Sequence, residues 1–188
     1  MIHPIRLVIL DIDGVLTDGT KSYDSEGKVS HKRFNDKDFT AIKRLKSSGV
    51  SVCFLSGDKN VNEEIANKRG IDFYFSRSAD GSLDKSSFLP LLYDKYGANK
   101  DTTVYVGDDL FDLDIILKVK YSYCPSDAIY DIKLWCKASC NGVLERKGGE
   151  GVVSDLYEDL VRKHLIIPAE FKDVVKIDKI ESMTALKK

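Results

Sequence analysis

Two aspartates that follow a short apolar run are the residues of this sequence best suited to chemistry. Asp11 and Asp13 come directly after residues 7–10, and Gly14 follows them. The apolar run predicts a buried strand, and alternate strand residues share a face, so both carboxylates should point the same way. Carboxylates held together repel each other unless a cation or a shared proton compensates them. The pattern therefore predicts a cation site where this strand ends.

Three further groups of reactive residues follow later apolar runs. Ser56-Gly57 offers a hydroxyl and a turn whose backbone N–H groups can bind an anion. Asp84-Lys85 offers an ammonium group, and residues 107–112 carry Asp108 and Asp112 one helical turn apart. Taken singly, these groups have structural explanations as a turn, a solvated lysine and acids at a helix N-terminus. Their joint occurrence, each group at a strand end, is specific to a site.

The elements that must position these residues alternate between strand and helix. Strands are predicted at residues 5–10, 51–55, 71–75 and 103–106, with weaker ones at 121–124 and 138–144. Amphipathic helical patterns lie between them, and Pro90 must kink or begin the helix predicted within residues 85–96. This alternation predicts an α/β fold, a three-layer sandwich with a central, mostly parallel, Rossmann-like sheet.

One insertion and one extension depart from the alternation. Residues 19–34 predict a small β-hairpin inserted after the first strand, too short to be a cap domain. We expect the main domain to span residues 1–165, and residues 166–188 to form a C-terminal extension without catalytic residues.

Composition excludes several classes of protein. The chain has 188 residues, 43% of them hydrophobic and 31% charged, as in ordinary globular domains, and its net charge of −1 gives no footprint for nucleic acid. Residues of a secretory signal or of a membrane helix, which needs about 20 apolar residues, are not found, so we expect a cytoplasmic protein. The four cysteines lack neighbouring histidines for a zinc site and are predicted to fill the core.

The order of the motifs resembles the haloacid dehalogenase superfamily. The matching motifs are Asp11-x-Asp13-Gly14, Ser56-Gly57, Lys85 and Gly107-Asp108-x-x-x-Asp112. More narrowly, the chain is similar to the lidless (type C0) branch, which contains phosphatases of eight-carbon and nine-carbon ulosonic acid phosphates. The residues that carry this narrower resemblance are Thr17-Asp18-Gly19, Lys32-Arg33-Phe34-Asn35, Gly107-Asp108-Asp109-Leu110 and Arg146-Lys147-Gly148-Gly149-Glu150-Gly151. The resemblance covers about residues 5–161.

The resemblance implies a magnesium-dependent phosphatase that acts through an aspartyl-phosphate. Asp11 would be the nucleophile and a metal ligand, and Asp13 would bind the metal through its backbone carbonyl while its carboxyl acts as acid and base. Asp108 would be the third ligand, and Asp112 would support the metal site. The phosphoryl oxygens would be held by Ser56, the Gly57 amide and Lys85.

Substrate selection is less defined by the motifs. Asp58 stands where the octulosonate enzymes usually carry arginine, and it could bind sugar hydroxyls, pair with a basic neighbour or cap the next helix. Arg69 and Arg146 are candidates for the sugar carboxylate, since arginine binds carboxylates with two hydrogen bonds. The resemblance implies a homotetramer in which Arg146 lies near an active site, its own or a neighbour's. The expected substrate is an octulosonate 8-phosphate or a nonulosonate 9-phosphate, and Asp58 favours the latter.

Two other functions fit parts of the pattern. A catalytically silent assembly domain associated with sugar-nucleotide synthesis shares the fold, but the complete set of acids favours an enzyme. A signalling receiver domain also uses an aspartate, magnesium and a lysine, but it usually carries adjacent acids after its first strand, whereas the spacing here is Asp-x-Asp.

Overall fold

Strands and helices alternate along the chain, which a computed structural model describes at residues 4–77, 80–81, 83–138 and 142–185, with the backbone alone at 184 and 185. The strands are β1 (Leu7–Leu10), β2 (Ser22–Tyr23), β3 (Val29–His31), β4 (Ser51–Ser56), β5 (Asp72–Phe75), β6 (Thr103–Val106), β7 (Tyr121–Cys124) and β8 (Gly142–Val143). The helices are α1 (Asp36–Ser47), α2 (Val61–Lys68), α3 (Leu89–Tyr96), α4 (Leu113–Ile116), α5 (Tyr130–Ala138), α6 (Val152–Arg162) and α7 (Phe171–Ala185).

Six of these strands form one parallel sheet with β1 near its middle. The order is β5-β4-β1-β6-β7-β8, and every neighbouring pair is parallel. From β1 the chain builds outward through β4 and β5 on one side, then returns to build β6, β7 and β8 on the other. The strand order therefore reverses at β1, and ligands of such sheets bind beyond the carboxyl ends of the strands at this point.

Helices cover both faces of the sheet. Val8 and Leu10 of β1 belong to the core that includes residues of α1, α2 and α6, whereas Leu7 and Ile9 belong to the core that includes α3, α4 and α5. Because β1 is buried on both faces, its sequence is a continuous apolar run rather than an alternating one. The predicted three-layer α/β fold is confirmed.

The insertion after β1 is the predicted hairpin. Strands β2 and β3 pair antiparallel, and their residues are mostly exposed. The Asp24 carboxylate accepts the N–H groups of Glu26 and Lys28, both at 2.9 Å, which fixes the connecting turn. Among the described residues no cap domain covers the carboxyl end of the sheet.

Three elements differ in detail from the sequence expectation. Of the strand expected at 138–144, the structure shows only Gly142–Val143 (β8), since Ala138 ends α5, Leu144 lies past the strand and residues 139–141 lie outside the described part of the chain. The helical pattern that begins at Leu110 forms a 3₁₀ turn at Leu110–Asp112 before α4, because Asp109 and Asp112 cap it reciprocally. Pro90 lies in the first turn of α3, so it begins that helix rather than kinking it.

The C-terminal extension packs on α1 of the same chain. Lys43 Nζ lies 2.5 Å from Asp178 Oδ1, and Lys46 Nζ lies 2.9 Å from Glu181 Oε1. The Ala169 N–H donates to the Tyr157 hydroxyl at 2.7 Å just before α7 begins.

Two expectations from composition concern membranes and cysteines. Among the described helices, none has the length and apolar character needed to cross a membrane. Cys53, Cys124 and Cys136 are buried and form no disulfide within the described residues, as expected of core residues, and Cys140 lies outside the described residues.

Candidate active site

The end of β1 places the first acid pair at the middle of the sheet. The Asp11 N–H donates to the Val106 carbonyl at 3.0 Å, so Asp11 continues the pairing of β1 with β6. Gly14 has a φ of +83°, and a Cβ there would lie 2.0 Å from Asp108 Oδ2. Glycine is therefore needed both for the turn and for the approach of the second acid cluster.

Residues from five separate segments line one cavity of about 330 Å³ beyond these strand ends. The lining comprises Asp11, Asp13, Gly14, Gly19, Lys21, Ser56, Gly57, Asp58, Arg77, Leu83, Lys85, Asp108, Asp109, Phe111 and Asp112. The structure thus brings together all four groups of residues that the sequence singled out.

A buried lysine joins the first acid to the last. Lys85 Nζ lies 2.7 Å from Asp11 Oδ2 and 2.5 Å from Asp112 Oδ1. The Tyr105 hydroxyl also donates to Asp112 Oδ1, at 2.5 Å. Burial alone would lower the pKa of Lys85, but the charges of Asp11 and Asp112 outweigh it and raise the pKa. Lys85 therefore stays a cation beside Asp11.

The two acids that face each other across the cavity have raised proton affinities. Burial raises the pKa of Asp11 to about 7, against the opposing effect of Lys85 and with a further rise from Asp112. Burial, and then the charges of Asp11 and Asp112, raise the pKa of Asp108 to about 8. These carboxylates lie close together with too little positive charge around them, and a bound cation would reduce their repulsion.

A divalent cation fits this cluster. One oxygen each of Asp11, Asp108 and Asp112 lies within 4.8 Å of the others. Asp108 Oδ1 is buried and accepts no hydrogen bond from the described part of the chain. Hard cations such as Mg²⁺ prefer carboxylate oxygens of this kind. Asp11 and Asp108 are therefore the side chains that could hold the ion.

Both carboxylate oxygens of Asp112 bind other groups of the protein. Its Oδ2 accepts the N–H groups of Asp108 at 2.8 Å and of Asp109 at 3.0 Å, while its Oδ1 binds Lys85 and Tyr105. A Cβ on Gly107 would lie 2.4 Å from the Asp112 carboxyl carbon, which explains the glycine. This bonding supports the expectation that Asp112 holds the site in shape rather than binding the metal.

Ser56 and Gly57 stand on the opposite wall, at the end of β4. The Ser56 hydroxyl accepts the Asp58 N–H at 3.2 Å and the Asn62 amide at 3.1 Å. Leu83 packs so closely on Gly57 that a Cβ would lie 2.7 Å from its Cδ2. The wall can therefore offer a small hydroxyl and backbone to an anion.

Asp58 pairs with lysines from the inserted hairpin. Its Oδ2 lies 2.8 Å from Lys32 Nζ and 2.9 Å from Lys21 Nζ. Partial burial raises the pKa of Asp58, but these two hydrogen bonds outweigh it and lower the pKa below its ordinary value. Of the three alternatives for Asp58, the structure shows the basic neighbour, whereas Asn60 is the residue before α2.

The two arginines assigned to substrate lie outside this cavity. Arg69 pairs with Asp36 at 3.0 Å, and its guanidinium lies over the Phe39 ring, 3.9 Å from the ring centroid. Arg146 Nε lies 2.8 Å from Asp155 Oδ1. The contacts with Asp36 and Phe39 hold Arg69 against α1, outside this cavity, and its contact with substrate stays a prediction. Arg146 remains a predicted contributor through a neighbouring copy.

Sequence analysis assigned no role to several residues of the site. Lys32 contacts Asp13, Asp58 and Asn62, and Tyr105 contacts Lys85 and Asp112. Lys21 and Arg77 add cationic charge to the cavity lining. The position of Lys32 in the hairpin that follows the acid pair places it near the site, but the sequence spacing does not predict that it contacts Asp13.

The chain resembles known proteins in both sequence and structure. No family model matches the chain. The chain is 31% identical to the 3-deoxy-D-manno-octulosonate 8-phosphate phosphatase of Haemophilus influenzae over 159 residues, which cover 84% of this chain and 83% of the relative. The chain belongs to this phosphatase family. It is accordingly a phosphoric monoester hydrolase of the haloacid dehalogenase superfamily.

Two solved structures of the family carry metals. The cobalt-bound form of the Haemophilus influenzae phosphatase has a TM-score of 0.74 and 31% identity, with 84% of this chain and 88% of that chain covered. The Moraxella catarrhalis phosphatase, in complex with a magnesium ion, a phosphate ion and a KDO molecule, has a TM-score of 0.73 and 27% identity, with 84% of this chain and 86% of that chain covered. Binding of a divalent metal is therefore a property of these relatives that the acid cluster of this chain can share.

Proposed function

We propose that this phosphatase uses Mg²⁺ to hydrolyse the phosphate monoester of a 3-deoxy-2-ulosonic sugar acid through an aspartyl-phosphate on Asp11. The observation that carries the proposal is the cavity in which Asp11, held by Lys85, faces Asp108 across a space suited to a cation. The names of the relatives make 3-deoxy-D-manno-octulosonate 8-phosphate the first candidate substrate.

In the first half-reaction, Asp11 is the nucleophile. A carboxylate oxygen of Asp11 forms a bond to phosphorus, the bond to the sugar oxygen breaks, and that oxygen takes a proton from Asp13. Ser56, the Gly57 N–H and Lys85 bind the phosphoryl oxygens as charge moves onto them. A bound Mg²⁺ supplies the positive charge that lets an anionic carboxylate approach an anionic phosphate. Asp11 and Asp108 are the residues that would hold it.

In the second half-reaction, Asp13 is the base. It takes a proton from a water molecule as the water oxygen bonds to phosphorus, and the bond between phosphorus and Asp11 breaks with its electron pair returning to the carboxylate. Inorganic phosphate leaves, and Asp11 is free for another cycle.

The proposal is tested by phosphate release from purified protein. With Mg²⁺ the wild type should cleave 3-deoxy-D-manno-octulosonate 8-phosphate, chelation should stop the reaction, and Asp11→Asn should lower kcat by about 10³-fold or more, since loss of a nucleophile is among the costliest single changes. An Asp11→Asn variant with wild-type turnover would show that the nucleophile is another residue. The matched control is Asp101→Asn, which lies at the opposite end of β6 and pairs with Lys120 at 3.7 Å.

A nine-carbon ulosonate 9-phosphate is the second candidate substrate. It is favoured by Asp58, which lines the cavity as an acid bound to Lys21 and Lys32 where the octulosonate enzymes usually carry arginine. Competition between the eight-carbon and nine-carbon phosphates in one reaction decides between them, because the ratio of product formation reports the ratio of kcat/KM.

We also propose a cytoplasmic homotetramer. Two features support assembly: Phe111 lines the cavity and is 59% exposed, and Arg146 lies outside the cavity of its own chain. Sedimentation of the purified protein should give the mass of four chains, and a monomer that retains full activity would contradict the assembly.

A further inference from the structure

A second buried lysine, Lys32, forms an ion pair with Asp13, just as Lys85 forms one with Asp11. Lys32 directly follows β3 in the inserted hairpin, and its side chain is 1% exposed. Its ammonium lies 2.7 Å from Asp13 Oδ1 and 3.0 Å from Asp13 Oδ2. It also lies 2.8 Å from Asp58 Oδ2 and 2.9 Å from Asn62 Oδ1. An ammonium has three N–H donors, so four acceptors crowd around one buried cation.

Both oxygens of the Asp13 carboxylate are thereby fixed. Lys32 contacts both oxygens, and the buried Asn62 amide donates to Asp13 Oδ2 at 3.0 Å. The same amide lies 3.1 Å from the Ser56 hydroxyl, so it links Asp13 to the wall proposed to bind the phosphate. Charge-assisted hydrogen bonds of this kind are strong and short, and together they leave the carboxylate little freedom to rotate.

We propose that Lys32 is a positioning residue, which holds the Asp13 carboxylate in place to accept the proton of the water that hydrolyses the aspartyl-phosphate. The inference rests on the proposed function, because it assigns Lys32 to the second half-reaction described there. The proton passes from water to an Asp13 oxygen, and Lys32 keeps all of its own protons.

The same arrangement gives Asp58 a role. A buried cation is costly unless its charge is balanced. Asp58 balances Lys32 together with Asp13, and Lys21 in turn contacts Asp58. The acid directly after Ser56-Gly57 therefore pairs with the hairpin lysines.

A purely structural lysine would behave differently. If Lys32 only fastened the hairpin to α2, its loss would lower stability and slow every step at the cavity alike. A positioning residue for the base affects one step, the decay of the aspartyl-phosphate, and leaves its formation from an activated donor nearly unchanged.

Radiolabelled acetyl phosphate separates the two steps, since its leaving group needs no proton from Asp13. The protein is labelled with Mg²⁺ present, chased with unlabelled donor and quenched in acid at short times. Because a general base typically contributes about 10²–10⁴-fold, Asp13→Asn should slow the loss of label by such a factor. Lys32→Met should slow it by about tenfold or more while the labelling rate changes little.

Three comparisons complete the test. Lys32→Met combined with Asp13→Asn should decay no more slowly than Asp13→Asn alone, because both changes remove the same function. Lys32→Arg should recover part of the decay rate, since it keeps the charge. Lys28→Met removes an exposed lysine of the same hairpin, one that pairs with Glu26 at 2.7 Å, and should decay like the wild type.

Outcomes that overturn the inference are distinct from those that overturn the proposed function. If Lys32→Met lowered the labelling rate and the decay rate by the same factor, Lys32 would be structural. The same would follow if the decay of the double variant were slowed by the product of the two single effects. Either result would leave the proposed function standing. A wild type that takes no label on Asp11 would overturn the intermediate and this inference together. Thermal unfolding checks that Lys32→Met is folded, and Lys32→Gln carries the same test if it is not.

Discussion

Each carboxylate in the cavity is controlled by its immediate neighbours more than by solvent. Asp11 contacts Lys85, Asp13 contacts Lys32, and Asp108 keeps a buried oxygen with no hydrogen bond from the described residues. Three acids of one residue type thus have three environments, two with an ammonium and one without. The unequal pairing matches the unequal roles proposed for them, nucleophile, base and metal ligand.

We expect Mg²⁺ to stabilise the folded protein through Asp108. Binding at 100 times the dissociation constant adds about 2.7 kcal/mol, which corresponds to a rise in Tm of about 5–10 °C for a chain of this size. Asp108→Asn should abolish most of this rise. Without metal the wild type should lose more stability than the variant as pH rises from about 4 to about 8, because burial raises the pKa of Asp108 from 3.8 to about 8 in the folded protein.

Differential scanning calorimetry with and without Mg²⁺ measures both effects. Asp101→Asn serves as the control, since Asp101 lies at the other end of β6 and should leave the Mg²⁺-dependent rise intact. A rise in Tm that persists in Asp108→Asn would place the metal elsewhere.

Residues next to strand ends could be predicted from the sequence, and residues that reach the site by folding back could not. Asp11, Ser56, Lys85 and Asp108 line one cavity because parallel strands end at the same edge of a sheet. Lys32 is distant from Asp13 along the chain, and the two side chains are in contact only because the hairpin folds back toward the end of β1. Arg69 was predicted to bind substrate only because arginine binds carboxylates, whereas its contacts with Asp36 and Phe39 hold it outside the cavity.

The turn after β1 is the element on which the cluster of Asp11, Asp108 and Asp112 depends. Gly14→Ala adds a Cβ that would lie 2.0 Å from Asp108 Oδ2, on a backbone with a φ of +83°. The left-handed backbone alone costs an alanine roughly 1–2 kcal/mol. Displacement of Asp108 adds to this cost, so we expect both lower stability and loss of the Mg²⁺-dependent rise in Tm.

Gly27→Ala is the matched control for this turn. Gly27 has a φ of +77° at the hairpin turn, and its Cβ would meet nothing within 4 Å. Urea unfolding should therefore show the backbone cost in both variants, and Mg²⁺ should stabilise Gly27→Ala as it does the wild type. Equal behaviour of the two variants would contradict the close approach of Asp108.

Helices α1 and α6 are joined by a buried acid that makes stability depend on pH. Asp38 Oδ1 accepts the Val153 N–H at 2.7 Å in the first turn of α6. Burial raises the pKa of Asp38 from 3.8 to about 7, against the opposing hydrogen bonds from α6. The folded protein thus binds a proton between these values that the unfolded chain has lost, so stability falls as pH rises from about 4 to about 7.

Asp38→Asn should remove this part of the pH dependence. The wild type should lose roughly 3 kcal/mol more than the variant between pH 4 and pH 7. Asp36→Asn, at an exposed acid of the same helix, should keep the wild-type slope. Chemical unfolding at a series of pH values measures the difference, and parallel curves for wild type and Asp38→Asn would show that Asp38 is ionised throughout.

For the molecule as a whole, the sequence predicted the layers but not the last helix. Apolar runs gave the parallel strands, because a strand buried on both faces needs apolar residues at every position. The extension has no such pattern. Ion pairs from Lys43 and Lys46 hold α7 on α1, and pairs of surface charges leave no periodic signal in a sequence.

Removal of α7 should therefore be tolerated. Partly exposed ion pairs contribute about 0.2–1 kcal/mol each, so a chain ending at residue 170 should lose a few degrees in Tm. Its kcat/KM should stay close to that of the full chain, because no residue of α7 lines the cavity. Steady-state kinetics of the shortened chain checks this, and a large loss of activity would assign α7 a role at the site.

The strand order has a consequence for how activity appears during synthesis. The proposed nucleophile, after β1, and the proposed phosphate-binding hydroxyl, on β4, are made early, but β1 also pairs with β6, about half a chain later. Long-range parallel pairing is slow to form. We expect a growing polypeptide to remain inert towards phosphate esters until β6 has docked, so that no half-finished chain hydrolyses metabolites in the cell.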